Sequence, residues 1–241
     1  MKLMSSQCRL VFLLVLGLLG GGLAWAADTT PATRPATVPA TKPAGPPFLK
    51  DIEAFEAADR KHPPAPGGVL FLGSSSIVKW KTLAQDFPGV PVINRGFGGS
   101  TIPDSVRYAP RIVTPYKPRL IVFYAGDNDL AAGHSPERIL ADFKDLVAIV
   151  HKDLPDTRLL FVAVKPSPAR AKLFDKAREA NRMVREYAEK DPKLGYVDVW
   201  TPMLGDDGKA REELFSPDHL HMNAKGYELW TSIIGPRLKE P

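Results

Sequence analysis

Short apolar runs alternate with longer amphipathic segments along the chain from Phe48 onward. Five of these runs are rich in β-branched or aromatic residues, which favours strands, and their near-continuous apolarity predicts burial on both faces. A repeated order of strand and then helix is typical of an α/β domain, in which helices cover a parallel sheet on both sides. The predicted strands are 69–72, 90–93, 120–124, 159–164 and 196–199.

The segments between the strands carry apolar residues at helical spacing. The last predicted helix begins after Asn223, a residue that favours the N-cap position, and it places Tyr227, Trp230, Ile234 and Leu238 on one face. The other predicted helices are 76–86, 103–113, 136–152 and 171–190, with an extra helix over 48–61 ahead of the first strand.

Residues 1–26 have the features of a secretory signal peptide. Two basic residues, Lys2 and Arg9, precede the apolar run 10–19, and the segment ends in Ala-Trp-Ala, which places small residues where signal peptidase reads the chain. The alternative is an uncleaved membrane anchor. Three glycines interrupt the apolar stretch, however, and it is short against the roughly 20 residues that span a bilayer.

The single cysteine of the chain, Cys8, lies before the apolar run. Cleavage of the signal peptide would therefore leave a mature chain without a thiol, and we expect an exported protein that forms no disulfide bond. We expect it in the periplasm or outside the cell, with no stable membrane insertion after cleavage.

Residues 27–47 form a linker in which Pro, Ala and Thr recur with a period of about four. Such a composition offers nothing from which to build a core and favours an extended, polyproline-rich tether, at about 3.1 Å per residue. A spacer is the simplest interpretation. The folded domain is predicted to cover 48–241.

The net charge of the chain, +5 with neutral histidines, says little about partners. Four of the 32 basic residues and one of the 27 acidic residues precede Phe48, which leaves 28 and 26 in the folded part. A domain so near neutrality offers no dense basic face for a polyanion. Nucleic acid is therefore not an expected partner.

Chemically useful residues follow all five predicted strands. Because the carboxyl ends of parallel strands lie at one edge of an open sheet, these residues should gather there. The segments are Gly73-Ser74-Ser75-Ser76, Asn94-Arg95-Gly96-Phe97-Gly98-Gly99, Gly126-Asp127-Asn128-Asp129, Lys165-Pro166, and a loop that contains Asp218-His219-Leu220-His221.

These residue types are the ones that ester hydrolysis through a covalent intermediate needs. It takes a hydroxyl nucleophile, an imidazole base, a carboxylate that orients the base, and donors for the oxyanion. The serines at 74–76 supply the hydroxyl, although they could instead cap the following helix. Asp218 and His221, three residues apart, could pair across a turn. His219 is a rival base.

Donors for the oxyanion are the side-chain amide of Asn128 and the backbone N–H groups of Gly99 and of the nucleophile. A plain turn is the alternative explanation of the Asn128 segment. The glycine-rich segment at 96–99 is not followed by Lys-Ser/Thr, which argues against a P-loop. Ile77 stands where a G-x-S-x-G elbow has its second glycine, which argues against the α/β-hydrolase fold.

Metal binding is not expected. His219 and His221 could give two ligands, but no third and fourth ligand follow at a recognisable spacing, and the remaining histidines are scattered over other elements. No cofactor is expected either.

Taken in order, four segments resemble the conserved blocks of the SGNH hydrolases, also called the GDSL esterase/lipase family. They are Gly73-Ser74-Ser75-Ser76, Gly99, Gly126-Asp127-Asn128-Asp129 and Asp218-His219-Leu220-His221, and the match covers nearly all of 68–238. The resemblance implies a flavodoxin-like three-layer α/β/α sandwich. It also implies Ser75 as nucleophile, His221 as base, Asp218 as its partner, and Gly99 and Asn128 in the oxyanion hole.

The chain departs from the name motif of that family at two positions, with Ser74 in place of Asp and Ser76 in place of Leu. Neither position transfers the proton. We further expect Phe97, Tyr124 and Lys165 to line the rim of the site, with Lys165 available to a negative group of a substrate. Ordinary packing is the alternative for all three.

The sequence thus predicts an exported serine esterase that hydrolyses short-acyl esters, such as acetyl esters on carbohydrate or a similar small molecule. The chain is too small for a long acyl-binding lid. A lysophospholipase or lipase-like esterase and an acyltransferase are the alternatives among enzymes. A non-catalytic wall- or carbohydrate-binding module is the alternative outside them. The oligomeric state is not predicted.

Overall fold

The computed structural model of the protein describes residues 45–239. The predicted signal peptide 1–26 and all but the last three residues of the predicted linker 27–47 lie outside the described residues. Within 45–239, no helix has both the length and the apolarity that a membrane crossing requires.

A single five-stranded sheet forms the centre of the domain, and all its neighbouring strands are parallel. The strands lie in the order β2-β1-β3-β4-β5, so the chain runs outward from β1 in one direction and then outward from β3 in the other. The strands are β1 Val69–Gly73, β2 Val92–Gly96, β3 Leu120–Tyr124, β4 Arg158–Val162 and β5 Leu194–Val197.

Helices cover both faces of the sheet, which confirms the predicted three-layer α/β architecture. They are α1 Leu49–Lys61, α2 Ser75–Val78, α3 Leu83–Asp86, α4 Ile102–Ile112, α5 Asp127–Ala131, α6 Pro136–Asp153, α7 Phe174–Ala188 and α8 Ala224–Arg237. Successive side chains of β3 point to opposite faces. Phe123 stacks on Phe143 of α6, whereas the next residue, Tyr124, packs edge-on against Trp230 of α8.

Several predicted elements differ from the structure in their bounds. The fifth strand is Leu194–Val197 rather than 196–199, and the helix expected over 171–190 is the 3₁₀ segment Pro168–Leu173 followed by α7. The second strand begins at Val92 rather than at residue 90, because Pro91 has no N–H to give to a ladder. The single helix expected over 76–86 is two short helices, α2 and α3. The chain between them buries Trp80, whose ring contacts those of Phe71 and Trp230.

The turn after β1 brings the chain directly from the sheet into α2. Gly73 has a φ of 142°, and a Cβ there would lie 1.9 Å from the carbonyl oxygen of Tyr124, so only glycine fits. The N–H of Ser74 then donates to that same carbonyl oxygen at 3.0 Å. The end of β1 is therefore held against the end of β3.

A buried ion pair lies beneath this edge of the sheet. Lys165, just beyond β4, places its Nζ 3.3 Å from Oδ2 of Asp127 at the start of α5, and the two side chains are 0% and 4% exposed. The Nζ also donates to the hydroxyl of Tyr124 at 3.1 Å. Burial opposes ionisation of Asp127, but the charges of Lys165 and Arg170 hold the pKa of its carboxyl below the usual value.

We expect Lys165→Met to lower the free energy of unfolding by about 3 kcal/mol, because it leaves the Asp127 carboxylate buried without its partner. Urea unfolding measures this. Lys209→Met is the matched control, because Lys209 also lies 3.3 Å from a carboxylate, that of Asp207, but 83% of its side chain is exposed. The control should leave the midpoint almost unchanged. Equal midpoints for all three proteins would show that the buried pair contributes no stability.

Candidate active site

Ser75 is the first residue of α2, and of the three consecutive serines it alone is not fully buried. Ser74 and Ser76 are 0% and 1% exposed. The turn after β1 therefore leaves Ser75, the first residue of α2, as the serine that solvent can reach at the edge of the sheet. The first N–H groups of a helix have no partner within the helix. The backbone N–H of Ser75 can therefore act as a hydrogen-bond donor next to the Ser75 hydroxyl.

The His221 imidazole contacts the Ser75 hydroxyl. Its Nε2 is 3.0 Å from Oγ of Ser75, and its Nδ1 is 2.6 Å from Oδ2 of Asp218. The structure thus brings together three residues that the sequence separates by up to 146 positions. His219 is exposed, with a left-handed backbone at φ 53°, and the imidazole in contact with Ser75 is that of His221.

The turn at 218–221 fixes the carboxylate as well as the imidazole. Oδ1 of Asp218 accepts the backbone N–H groups of Leu220 and His221 at 3.0 and 2.9 Å. The hydrogen bond from the His221 ring and those from the two N–H groups hold the pKa of Asp218 well below its usual range. Asp218 is therefore a fixed negative charge behind the imidazole in neutral and mildly acidic solution.

The predicted oxyanion donors Gly99 and Asn128 lie on two segments that contact each other, the turn after β2 and residues 126–129, which end the loop after β3 and begin α5 and are called the oxyanion loop below. Nδ2 of Asn128 donates to the carbonyl oxygen of Ser100 at 3.0 Å, directly after Gly99, whose φ of 85° suits a glycine in this tight turn. The loop of Gly99 is joined in turn to β1, because the N–H of Phe97 donates to the carbonyl oxygen of Gly73 at 2.9 Å. The segments that carry Ser75, Gly99 and Asn128 are thus tied to one another.

Asp129 fixes the oxyanion loop through hydrogen bonds to two backbone N–H groups. It is fully buried and accepts the N–H groups of Gly126 and Ile102 at 3.1 and 2.9 Å, and burial raises its pKa to about 6. The fold also brings His134 within 3.9 Å of Asp129 and of Asp142. The Arg138 guanidinium, 2.6 Å from Asp142, already supplies a positive charge to this cluster.

The three predicted rim residues do not line an open rim. Phe97 and Tyr124 are both 0% exposed, and Phe97 lies in the core against the rings of Phe48 and Tyr108. Lys165 is buried with Asp127 and is not available to a substrate. Ordinary packing, the alternative considered above, describes Phe97 and Tyr124, whose rings lie in the core, whereas Lys165 is held in the buried ion pair with Asp127.

Arg170, which no sequence motif indicated, and Ser167, in the turn 165–168 that was expected at the rim, contact the site. Arg170 donates to Oδ1 of Asn128 at 2.9 Å and to the carbonyl oxygen of Asp127. Ser167 donates through its hydroxyl to the carbonyl oxygen of Leu220 at 3.3 Å. Both belong to the segment after β4, where only the presence of a strand end pointed to function.

The site can carry out nucleophilic catalysis at a carbonyl. A hydroxyl, an imidazole and a carboxylate form one hydrogen-bonded chain, and donors stand on neighbouring loops.

Solved structures of similar fold include a lipase and two esterases. A GDSL-like lipase from Bacteroides thetaiotaomicron superposes with a TM-score of 0.67 at 18% identity, over 78% of this chain and 97% of its own. A family 3 carbohydrate esterase from Clostridium thermocellum gives 0.55 at 17% identity, over 71% and 96%. A variant of the acetyl-xylooligosaccharide esterase Axe2 from Geobacillus gives 0.57 at 14% identity, over 74% and 97%.

No curated protein sequence matches the chain. Residues 70–229, however, match the sequence model of the GDSL-like Lipase/Acylhydrolase family. This stretch contains every residue of the site described above and more than half of the chain. The chain therefore belongs to the GDSL-like lipase/acylhydrolase family and is a hydrolase of ester bonds.

Proposed function

We propose that the protein is an exported serine esterase that hydrolyses short-acyl carboxylic esters through an acyl-enzyme. The observation that carries this proposal is the continuous chain from Asp218 through His221 to Ser75, with heavy-atom distances of 2.6 and 3.0 Å. Both distances lie within hydrogen-bond reach, as a nucleophile and its base require.

In the proposed mechanism, His221 removes the proton of Ser75 as Oγ attacks the acyl carbonyl carbon. The N–H groups of Gly99 and Ser75 and the side-chain amide of Asn128 donate to the oxyanion. His221 then gives the proton to the leaving alcohol, and the C–O bond breaks to leave an ester on Ser75. Water, deprotonated by the same imidazole, releases the acid and restores the hydroxyl. Asp218 orients the imidazole and stabilises its charged form.

Two features support a short acyl group. Ser75 is half-buried, and Gly98 and Gly99, on the segment that follows β2, are exposed and have no side chain with which to wall an acyl groove. The aromatic side chains that could have walled an acyl groove, those of Phe97 and Tyr124, are instead inside the core. The similarity to an acetyl-xylooligosaccharide esterase and to a carbohydrate esterase favours an acetyl ester on carbohydrate.

Export is proposed from residues 1–26, and the Pro/Ala/Thr linker 27–47 would then let the domain 48–241 work at a distance from a wall or membrane. An extracellular polysaccharide is a substrate that such an arrangement could reach.

We expect Ser75→Ala to abolish release of p-nitrophenol from p-nitrophenyl acetate, with kcat lower by at least about 10⁴-fold, because it removes the hydroxyl that contacts the His221 imidazole. Ser76→Ala is the matched control, since Ser76 is buried one residue away, and it should retain most of the rate. An active Ser75→Ala protein would assign the nucleophile elsewhere. A wild-type protein that binds polysaccharide but turns over no ester would instead be a binding module.

The rate should fall in acidic solution, because a protonated imidazole cannot accept the proton of Ser75. Asp218 does not cause this fall, because its depressed pKa keeps it ionised. The buried carboxyl of Asp129, with its pKa of about 6, takes up a proton in the same acidic range. Asp129→Asn removes the carboxyl that takes up this second proton. In this variant kcat/KM should still fall as the solution becomes acidic. A flat profile in wild type would exclude His221 as the base.

Among p-nitrophenyl esters, we expect kcat/KM to be highest for acetate and to fall from butyrate to octanoate. An apolar acyl groove would give the opposite trend, a gain of about fourfold per buried methylene, from roughly 0.8 kcal/mol each. A steady rise with chain length would favour the lysophospholipase or lipase-like alternative. Partition of the acyl group to an added sugar, at the expense of free acid, would favour the acyltransferase.

A further inference from the structure

Arg170 contacts the oxyanion loop but takes no part in the mechanism above. It lies in the short 3₁₀ segment Pro168–Leu173 that follows β4, and its side chain is half-buried. Nη2 donates to Oδ1 of Asn128 at 2.9 Å, and Nη1 donates to the carbonyl oxygen of Asp127. The two donors of one planar guanidinium thus hold the backbone and the side chain of adjacent residues.

The Asn128 amide has a second fixed contact, at its nitrogen. Nδ2 donates to the carbonyl oxygen of Ser100 at 3.0 Å. If the amide were flipped, its NH₂ would face the Arg170 donors and its oxygen would face the Ser100 carbonyl, so both contacts select the same orientation. Because the amide is planar and one of its N–H groups is occupied, the direction of the second N–H is also fixed.

We propose that Arg170 is a positioning residue of the oxyanion hole, which holds the Asn128 side chain so that its remaining N–H points to the developing oxyanion. This inference rests on the proposed ester hydrolysis. A permanently charged donor on Oδ1 also polarises the amide and makes its N–H a stronger donor. Lysine could not replace the two-pronged contact with a single ammonium.

The segment that contains Arg170 forms hydrogen bonds both with the oxyanion loop and with the turn 218–221, which carries His221. The N–H of Ala169 donates to the carbonyl oxygen of His219 at 3.0 Å, and the Ser167 hydroxyl donates to that of Leu220 at 3.3 Å. Residues 167–170 therefore bridge the turn of Asp218–His221 and the loop of Asn128. Preorganised donors contribute most to catalysis when nothing has to move as charge develops, and this bridge supplies that rigidity.

The test is a double-mutant cycle on p-nitrophenyl acetate, an uncharged substrate that gives Arg170 no anion to bind. We expect Arg170→Met to lower kcat about 10- to 100-fold with KM within about threefold, because removing one oxyanion donor outright costs about 10²–10³-fold. In an Asn128→Ala background the same change should lower kcat by less than about threefold, because Arg170 acts through Asn128. Arg170→Lys should recover only part of the rate.

Arg178→Met is the matched control, because Arg178 pairs with Asp175 on the exposed face of α7 and should leave kcat unchanged. Additive losses for Arg170→Met and Asn128→Ala would overturn the proposal, as would a rise in KM at constant kcat, which would make Arg170 a substrate contact. If Arg170→Met does not fold, as judged by its thermal unfolding, Arg170→Gln takes its place in the cycle.

A second measurement does not depend on turnover. The Nδ2H₂ resonances of Asn128, assigned by their loss in Asn128→Ala, should be shifted from those of a free amide and slow to exchange with water. Arg170→Met should move them towards free-amide positions. Unchanged resonances would overturn the proposal, whether or not the protein hydrolyses esters. Inactivity of the wild-type protein with these expected resonances would instead overturn the proposed function alone.

Discussion

The contact between the ends of β1 and β3 is the constraint on which the site depends. The missing side chain of Gly73 lets the Tyr124 carbonyl approach to where a Cβ would stand, and the N–H of Ser74 bonds to that carbonyl. The residues that follow these two strands are thereby placed side by side. Ser75, the proposed nucleophile, follows β1, and the segment that carries Asn128, the proposed oxyanion donor, follows β3. Any larger residue at Gly73 would push the two apart.

Around that contact, the site is held by polar groups that are themselves buried. Asp127 bonds the N–H of Asn128 at 3.0 Å, and Asp129 bonds the N–H groups of Gly126 and Ile102. Burying these carboxylates is costly, and Lys165 compensates only one of them directly. These hydrogen bonds restrict the motion of the oxyanion loop. Such restriction suits an oxyanion donor, which must be in place before charge develops.

The fold is shared with a lipase and two esterases at 14–18% identity, so most aligned positions differ in sequence while the architecture is the same. Such similarity establishes the fold, and the chemistry has to be argued from the site. Here the two hydrogen bonds of His221, to Asp218 and to Ser75, support the proposed chemistry. In the proposed mechanism these contacts account for the reaction class, whereas the acyl group and the alcohol depend on other side chains around Ser75.

The sequence by itself determined the five parallel strands and most of the helices, because apolar runs and helical periodicity are local signals. It also brought Ser75, His221 and Asp218 to attention, since residues after parallel strands share one edge and the motif resemblance selected among the serines. Only the tertiary structure placed Phe97 and Lys165 in the interior and Arg170 on Asn128. Burial and partners of a side chain depend on segments distant in sequence, and no local pattern encodes them.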